Sequence, residues 1–188
     1  MKFDRVKYNP LIVGMTGKAQ SGKNYCVKLM SKMMVQEGYN NHIVLELAFA
    51  DHLKRELYER IFKPDGFDKD FLEQNKLLLR PLIQAYATEY KRNFLGQDIW
   101  ANLLIRDLTG LKSHLPMIVF ITDVRFLNER EALINNDKST KFIRVLRNDS
   151  KDTHISETEL DHVPTDYTIC NYEDTPVISL HTNIKSII

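Results

Sequence analysis

Gly17-Lys18-Ala19-Gln20-Ser21-Gly22-Lys23-Asn24 decides how the rest of this chain is read. The octet has a glycine, four residues, a second glycine, a lysine and then a polar side chain, the spacing of a phosphate-binding loop (P-loop). Glycines let the backbone curl so that successive N–H groups turn inward, an arrangement that cradles phosphate oxygens. The apolar run Leu11–Met15 precedes it and reads as a buried strand. Tyr25–Glu37 follows, with Cys26, Val27, Leu29, Met30, Met33 and Met34 on one helical face and Gly38 as a stop. Strand, loop and helix in that order bring the positive end of a helix dipole to the loop. Lys23 is then placed to reach the β- and γ-phosphates of a nucleoside triphosphate. Asn24 stands where the motif usually has Ser or Thr; its amide oxygen can hold a water of Mg²⁺ but is no hydroxyl. The competing reading is a glycine-bearing turn that binds nothing, and the strand, lysine and helix around the octet speak against it.

Working outward, His42–Phe49 reads as a second strand and Asp51–Phe62 as a helix with Leu53, Leu57, Tyr58 and Ile61 on one side. Phe71–Leu95 is expected to be helical with a break near Pro81, and Gly96 to stop it. Asp98 is the expected N-cap of a helix over Ile99–Leu108. Met117–Thr122 and Phe142–Leu146 read as strands, Asn128–Ile134 as a short helix, Asp149–Pro164 as a polar loop and Tyr167–Cys170 as a last strand. Strands alternating with helices predict an α/β fold with a parallel sheet covered on both faces. Such sheets bind ligands at the carboxyl ends of their strands.

At 188 residues the chain is long enough for a core without staples, and its formal charge of +1 gives no footing for a polyanion surface, so no nucleic-acid partner is expected. The two cysteines, Cys26 and Cys170, form neither a disulfide framework nor a metal-ligand spacing. No apolar run approaches the length of a membrane span, and the charged, proline-containing start is unlike a signal peptide; no membrane partner and a cytoplasmic location are expected.

Asp123 closes the Met117–Thr122 strand, which is the Walker B arrangement: an acid delivered at a strand's carboxyl end to organise Mg²⁺. Arg125, two residues on, can grip a phosphate through two parallel hydrogen bonds. A capping Asp with an Arg partner is the alternative. Gln84, Thr88 and Arg92 recur at helical spacing and share a face, which is either a pocket wall or a solvated stripe. Trp100 suits a core as well as a pocket.

These pieces, in their order, resemble the phage-type deoxynucleoside monophosphate kinases of the adenylate-kinase-like P-loop class. The resemblance spans most of the chain: the Gly17–Asn24 loop, Phe49-Ala50-Asp51-His52-Leu53-Lys54, Gln84-Ala85-Tyr86-Ala87-Thr88-Glu89 with Arg92, and Gly96-Gln97-Asp98-Ile99-Trp100. It continues through Thr122-Asp123-Val124-Arg125-Phe126-Leu127-Asn128-Glu129, Ile143-Arg144-Val145, His154-Ile155-Ser156-Glu157 and Asp166-Tyr167-Thr168-Ile169-Cys170-Asn171. Leu127 and Asn24 depart from the proline and aspartate that such kinases commonly carry.

The resemblance implies a three-layer fold like that of P-loop nucleoside triphosphate hydrolases, as a single domain over 1–188 with a helical acceptor lobe near 50–108 and a lid near 147–164. It implies transfer of the ATP γ-phosphoryl group to a deoxynucleoside 5′-monophosphate, with Mg²⁺, in a homodimer. Lys23, Asp123 and Arg125 would act at the transferred group, with Asn24 and Asp123 at the metal. Gly17, Lys18, Ala19, Gln20, Ser21, Gly22 and Arg147 would hold the nucleotide. Lys54, Gln84, Thr88, Arg92, Trp100, Arg125, Glu129 and Arg144 would hold the acceptor. Two other readings stay open. Animal-type phosphomevalonate kinases share a comparable loop and a late element like Ser156-Glu157-Thr158-Glu159-Leu160-Asp161, with dephospho-coenzyme A kinases a more distant third. A nucleotide-binding protein without turnover is the other.

Overall fold

A computed structural model of the chain describes residues 8–147 and 154–171. Leu11–Thr16 forms β1, buried along nearly its whole length. With β2 (Ile43–Leu47), β3 (Met117–Ile121), β4 (Lys141–Leu146) and β5 (Tyr167–Cys170) it makes a five-stranded sheet in the order β2-β3-β1-β4-β5. Every pairing is parallel. Strand residues alternate between two apolar clusters, as a sheet covered on both faces requires. Val13, Met15, Ile118 and Phe120 pack with Cys26, Val27, Met30, Met33 and Met34 of α1 (Lys23–Gln36) on one face. Ile12, Val119 and Ile121 pack on the other against α2 (Phe49–Leu57), α6 (Ile99–Gly110) and α7 (Leu127–Asn136). The result is the expected α/β sandwich of three layers. Residues 1–7 and the tail after Pro176, whose structure the sequence leaves open, lie outside the described residues, as does the 148–153 part of the expected lid.

Chain order turns back at the centre of the sheet. From β1 the chain skips outward to β2, returns to β3 beside β1, and then crosses to β4. The crevice at such a switch point lies at the carboxyl ends of β1 and β3, where Gly17 and Asp123 follow.

Local chemistry shifts several boundaries. The second strand stops at Leu47 rather than Phe49, because the Asp123 carboxylate accepts the N–H groups of Phe49 and Ala50 at 2.7 and 2.9 Å and starts α2 there. Asp51 Oδ2 also accepts the Ala48 N–H at 2.9 Å. The helix continues as a wider π-helical turn, Tyr58–Phe62. The break expected at Pro81 lies at Asn75 instead, between α3 (Phe71–Gln74) and α4 (Lys76–Gln84), with Pro81 inside α4. Leu79, Ile83, Tyr86 and Ala87 of this lobe pack on the core; that packing offsets the ~3 kcal/mol a helix proline costs. A π-helical run, Ala85–Arg92, and the short α5 (Asn93–Leu95) lead to Gly96, whose φ of 116° ends the helix. Asp98 sits at the N-cap of α6 without capping it; its Oδ1 accepts instead from Asn128 Nδ2 at 2.8 Å. Within the polar stretch after β4, Ile155–Thr158 makes one helical turn, α8, with His154 Nδ1 accepting the Ser156 N–H. Among the described residues no helix is long and apolar enough to cross a membrane.

Candidate active site

The P-loop takes the shape its glycines permit. Gly17 and Gly22 have φ of 133° and 90°, and Gln20, a residue with a side chain, is held at 60°. A Cβ on Gly17 would collide with the Val145 carbonyl of β4, and one on Gly22 with the Asn171 amide. Asn171 in turn donates to the Ser21 carbonyl at 2.8 Å, bracing the loop from beyond β5. Lys23 opens α1, and its Nζ donates to the Gly17 and Lys18 carbonyls at 2.6 and 2.8 Å. Burial pushes this ammonium down to about 7, helped by the positive charges of Arg125, Lys76 and Arg80 and opposed by Asp123.

Asp123 and Arg125 leave β3 toward the same place. Burial raises the Asp123 carboxyl above its ordinary range, while the two α2 N–H bonds and Arg125 pull it down. Arg125 pairs with Glu157 through Nη1. Its backbone N–H and that of Phe126 donate to Glu129 Oε2 at 2.8 and 3.1 Å, which caps α7.

Loop, strand end and helical lobe enclose one cavity of about 880 Å³. Ala19, Gln20, Gly22, Lys23, Asn24, Asp123 and Arg125 line it on the sheet side, and Lys54, Gln84, Thr88, Arg92, Trp100 and Glu129 on the lobe side. Its size suits a small ligand. Gly17, Lys18 and Ser21 belong to the loop without lining the cavity, and Arg144 and Arg147 lie outside the lining.

The lobe residues differ in what they present. Arg92 is buried, pairs with Glu129, donates to Gln97 O and Asn128 Oδ1 at 3.1 and 3.2 Å, and lies 3.7 Å over the Phe126 ring. It is therefore a fixed wall, neither a solvated stripe nor a reaching arm. Trp100 is only 3% exposed and donates to the Ala87 carbonyl at 3.2 Å, so it is core and pocket wall together. Lys54 pairs with Glu73 of α3. Arg144 ties down the stretch after α8 by donating to the carbonyls of Leu160, Asp161 and Val163. Arg147 reaches the Gln20 carbonyl at 3.4 Å, and Lys18 pairs with Asp161 at 2.8 Å.

Sequence reasoning missed two residues. Arg80 of α4 lines the cavity and pairs with Glu157 at 3.0 Å. Glu157 has its side chain fully out of solvent and is no surface acid. The His-x-Ser-Glu string was a signal for Glu157; nothing near Arg80 in sequence marks it.

Among the described residues no three His, Cys, Asp or Glu side chains gather as a metal site. Mg²⁺ bound with phosphates keeps several waters and takes only one or two protein groups. Asn24 and Asp123 on one cavity fit that modest requirement.

A P-loop at the switch point of a parallel sheet, facing an acceptor-sized lobe, defines a P-loop nucleotide kinase. The sequence model of the family "deoxynucleotide monophosphate kinase" matches residues 23–182, and the chain belongs to that family. ATP-dependent phosphorylation of a deoxynucleoside monophosphate is the activity this membership carries, which favours it over the phosphomevalonate, dephospho-coenzyme A and non-catalytic alternatives. No curated protein matches the chain in sequence. Similar solved structures include an APS kinase mutant of Mycobacterium tuberculosis, at 13% identity over 95% of this chain and 96% of that one, with a TM-score of 0.45. A gluconokinase from Sinorhizobium meliloti is 12% identical over 95% and 91%, with a TM-score of 0.47. A thymidylate kinase from Ehrlichia chaffeensis is 13% identical over 96% and 98%, with a TM-score of 0.39.

Proposed function

We propose that the reaction runs inside this one cavity, with the triphosphate on the P-loop and the deoxynucleotide against the helical lobe. The observation that supports this is the shared lining: Lys23 and Arg125 open on the same space as Gln84, Thr88 and Trp100. An oxygen of the acceptor 5′-phosphate attacks the γ-phosphorus, the bond to the β–γ bridging oxygen breaks, and ADP leaves with that electron pair. A monophosphate is already anionic at neutral pH, so no general base is required. Positioning and charge stabilisation do the work.

In this reading Lys23 neutralises charge on the transferred group, and the loop N–H groups and the α1 N-terminus hold the β- and γ-phosphates. Arg125 holds the acceptor phosphate in line. Gln84, Thr88 and Trp100 shape the acceptor pocket, with Arg92 and Glu129 fixing its back wall. Lys54, which lines the cavity, would meet the acceptor phosphate on leaving Glu73. Arg147 and Lys18 flank the nucleotide side, and Arg144 anchors the lid. Asn24 and Asp123 would hold Mg²⁺ through its water shell; the ion would supply charge neutralisation between the β- and γ-oxygens. A homodimer in the cytoplasm belongs to the same family reading. The exposed Leu82, Phe94 and Leu95 of the lobe, which lie outside the cavity lining, support a covered face there.

The test separates acceptor from donor. Arg125→Ala should raise the acceptor KM or lower kcat by at least about tenfold, as loss of a charged phosphate contact of roughly 1.5–3 kcal/mol requires, with ATP affinity changed far less. Acceptor KM and kcat that both stay at wild-type values would remove Arg125 from the site.

A further inference from the structure

Glu157 sits behind the cavity wall, held by three groups, Ala19, Arg80 and Arg125, that themselves line the cavity. One oxygen, Oε1, takes Arg125 Nη1 and Arg80 Nη2, and the other, Oε2, accepts the Ala19 N–H of the P-loop at 2.5 Å. The side chain is 0% exposed, whereas its two arginine partners are 27% and 29% exposed. A buried carboxylate on two guanidiniums and a loop amide matches the donor set that binds a phosphoryl oxygen. A residue that only braced arginines would have no use for a P-loop N–H.

The stretch that follows Glu157 is anchored. Leu160 is buried in the core, and Arg144 holds the carbonyls of Leu160, Asp161 and Val163. Glu157 lies three residues before that anchor, on the single turn α8. Lys18–Asp161 makes a second tie between the P-loop and this stretch. A fixed root and a short acidic tip describe a latch.

We propose that Glu157 is a positioning residue that stands in for phosphate: it holds Arg80, Arg125 and the Ala19 N–H in place and hands them to the substrate phosphates when nucleotide binds. Arg80 thereby becomes the second arm of the phosphate clamp, a role outside the residues assigned above. The negative carboxylate and an incoming triphosphate repel each other over Arg80 and the Ala19 N–H, so the two occupy the place in turn, while Arg125 passes to the acceptor phosphate. Nucleotide affinity is lowered by the exchange, and the arginines are ordered before substrate arrives. The inference rests on the reading of Gly17–Asn24 as the ATP site.

The experiment is a direct titration of ATP, without acceptor, into wild type and Glu157→Gln, followed by steady-state kinetics on both. Removing the charge should tighten ATP at least about fivefold, the lower end of ordinary coupling between competing states, and the ATP KM should fall with it. ATP binding equal to or weaker than wild type, or a fall in kcat with the ATP KM unmoved, marks Glu157 as a static brace and overturns the proposal. Should the Gln variant fail to fold, Glu157→Asp keeps the charge but withdraws it by one methylene from the Ala19 N–H, and a smaller tightening is expected; ATP binding equal to or weaker than wild type in that variant overturns the proposal as well. The titration involves no acceptor. Tightened ATP binding with silence toward every deoxynucleotide would sink the kinase reading and leave the latch. Normal turnover with unchanged ATP affinity would do the reverse.

Discussion

Lys23 shows how a P-loop side chain is tuned by its neighbours. Its ammonium is held in a cage of carbonyls beside other cations, and burial brings its pKa down to about 7. Triphosphate binding favours the charged form, so the bound pKa is higher than the free one. Below the free value the ammonium is already present and binding takes up no proton. Above it, each binding event takes up one proton, and affinity falls as pH rises. ATP affinity should therefore be level below pH 7 and weaken by up to about tenfold per unit above it, which titration calorimetry from pH 6 to 9 would reveal. A level profile across that range would mean that Lys23 stays charged throughout. At this scale the sequence was highly legible where chemistry is local: the octet, Asp123 and Arg125 announce themselves by spacing. The pairing of Arg80 with Glu157 does not, because 77 positions separate them in the chain and only the packed lobe brings them together.

At the scale of the elements, the π-helical run Ala85–Arg92 and the start of α7 are joined by the buried Arg92–Glu129 pair. The Glu129 carboxylate does two things: it caps α7 by accepting two backbone N–H groups, and it pairs with Arg92. Glu129→Ala would strand a buried guanidinium and uncap the helix. It should cost about 3–5 kcal/mol, read as a lower urea midpoint with m unchanged. A loss under ~1 kcal/mol would show that water reaches Arg92 and that the wall is soft. Helix periodicity located this lobe but misplaced its break. Pro81 is a loud local signal, yet it lies exposed while Leu79 and Ile83 on the packed face keep α4 intact. The Phe49 boundary was missed for the opposite reason: Asp123, a distant residue, supplies the two acceptors that start α2.

For the whole molecule, the order of strands decides where chemistry can happen. Alternating strands and helices made the parallel sheet readable, and the two-faced alternation of Val13/Met15 against Ile12 follows from it. Strand order was not readable, since nothing in the sequence states that β3 lies between β1 and β2. That insertion puts Asp123 and Arg125 beside the P-loop and opens the cavity toward the lobe. Base preference depends on pocket shape and one or two hydrogen bonds that no position declares, and only a panel of acceptors can report it.

The most direct test of the account is ADP release with ATP and Mg²⁺ against dTMP, dGMP, dCMP, dAMP, a hydroxymethylated dCMP, the ribonucleotides and phosphomevalonate, run on wild type and Lys23→Ala. Turnover is expected with one or more deoxynucleoside monophosphates, with a kcat lower by ~10²–10³ in the variant, the loss expected for one oxyanion-type stabiliser. Turnover with phosphomevalonate alone, or full activity without the Lys23 ammonium, would contradict it.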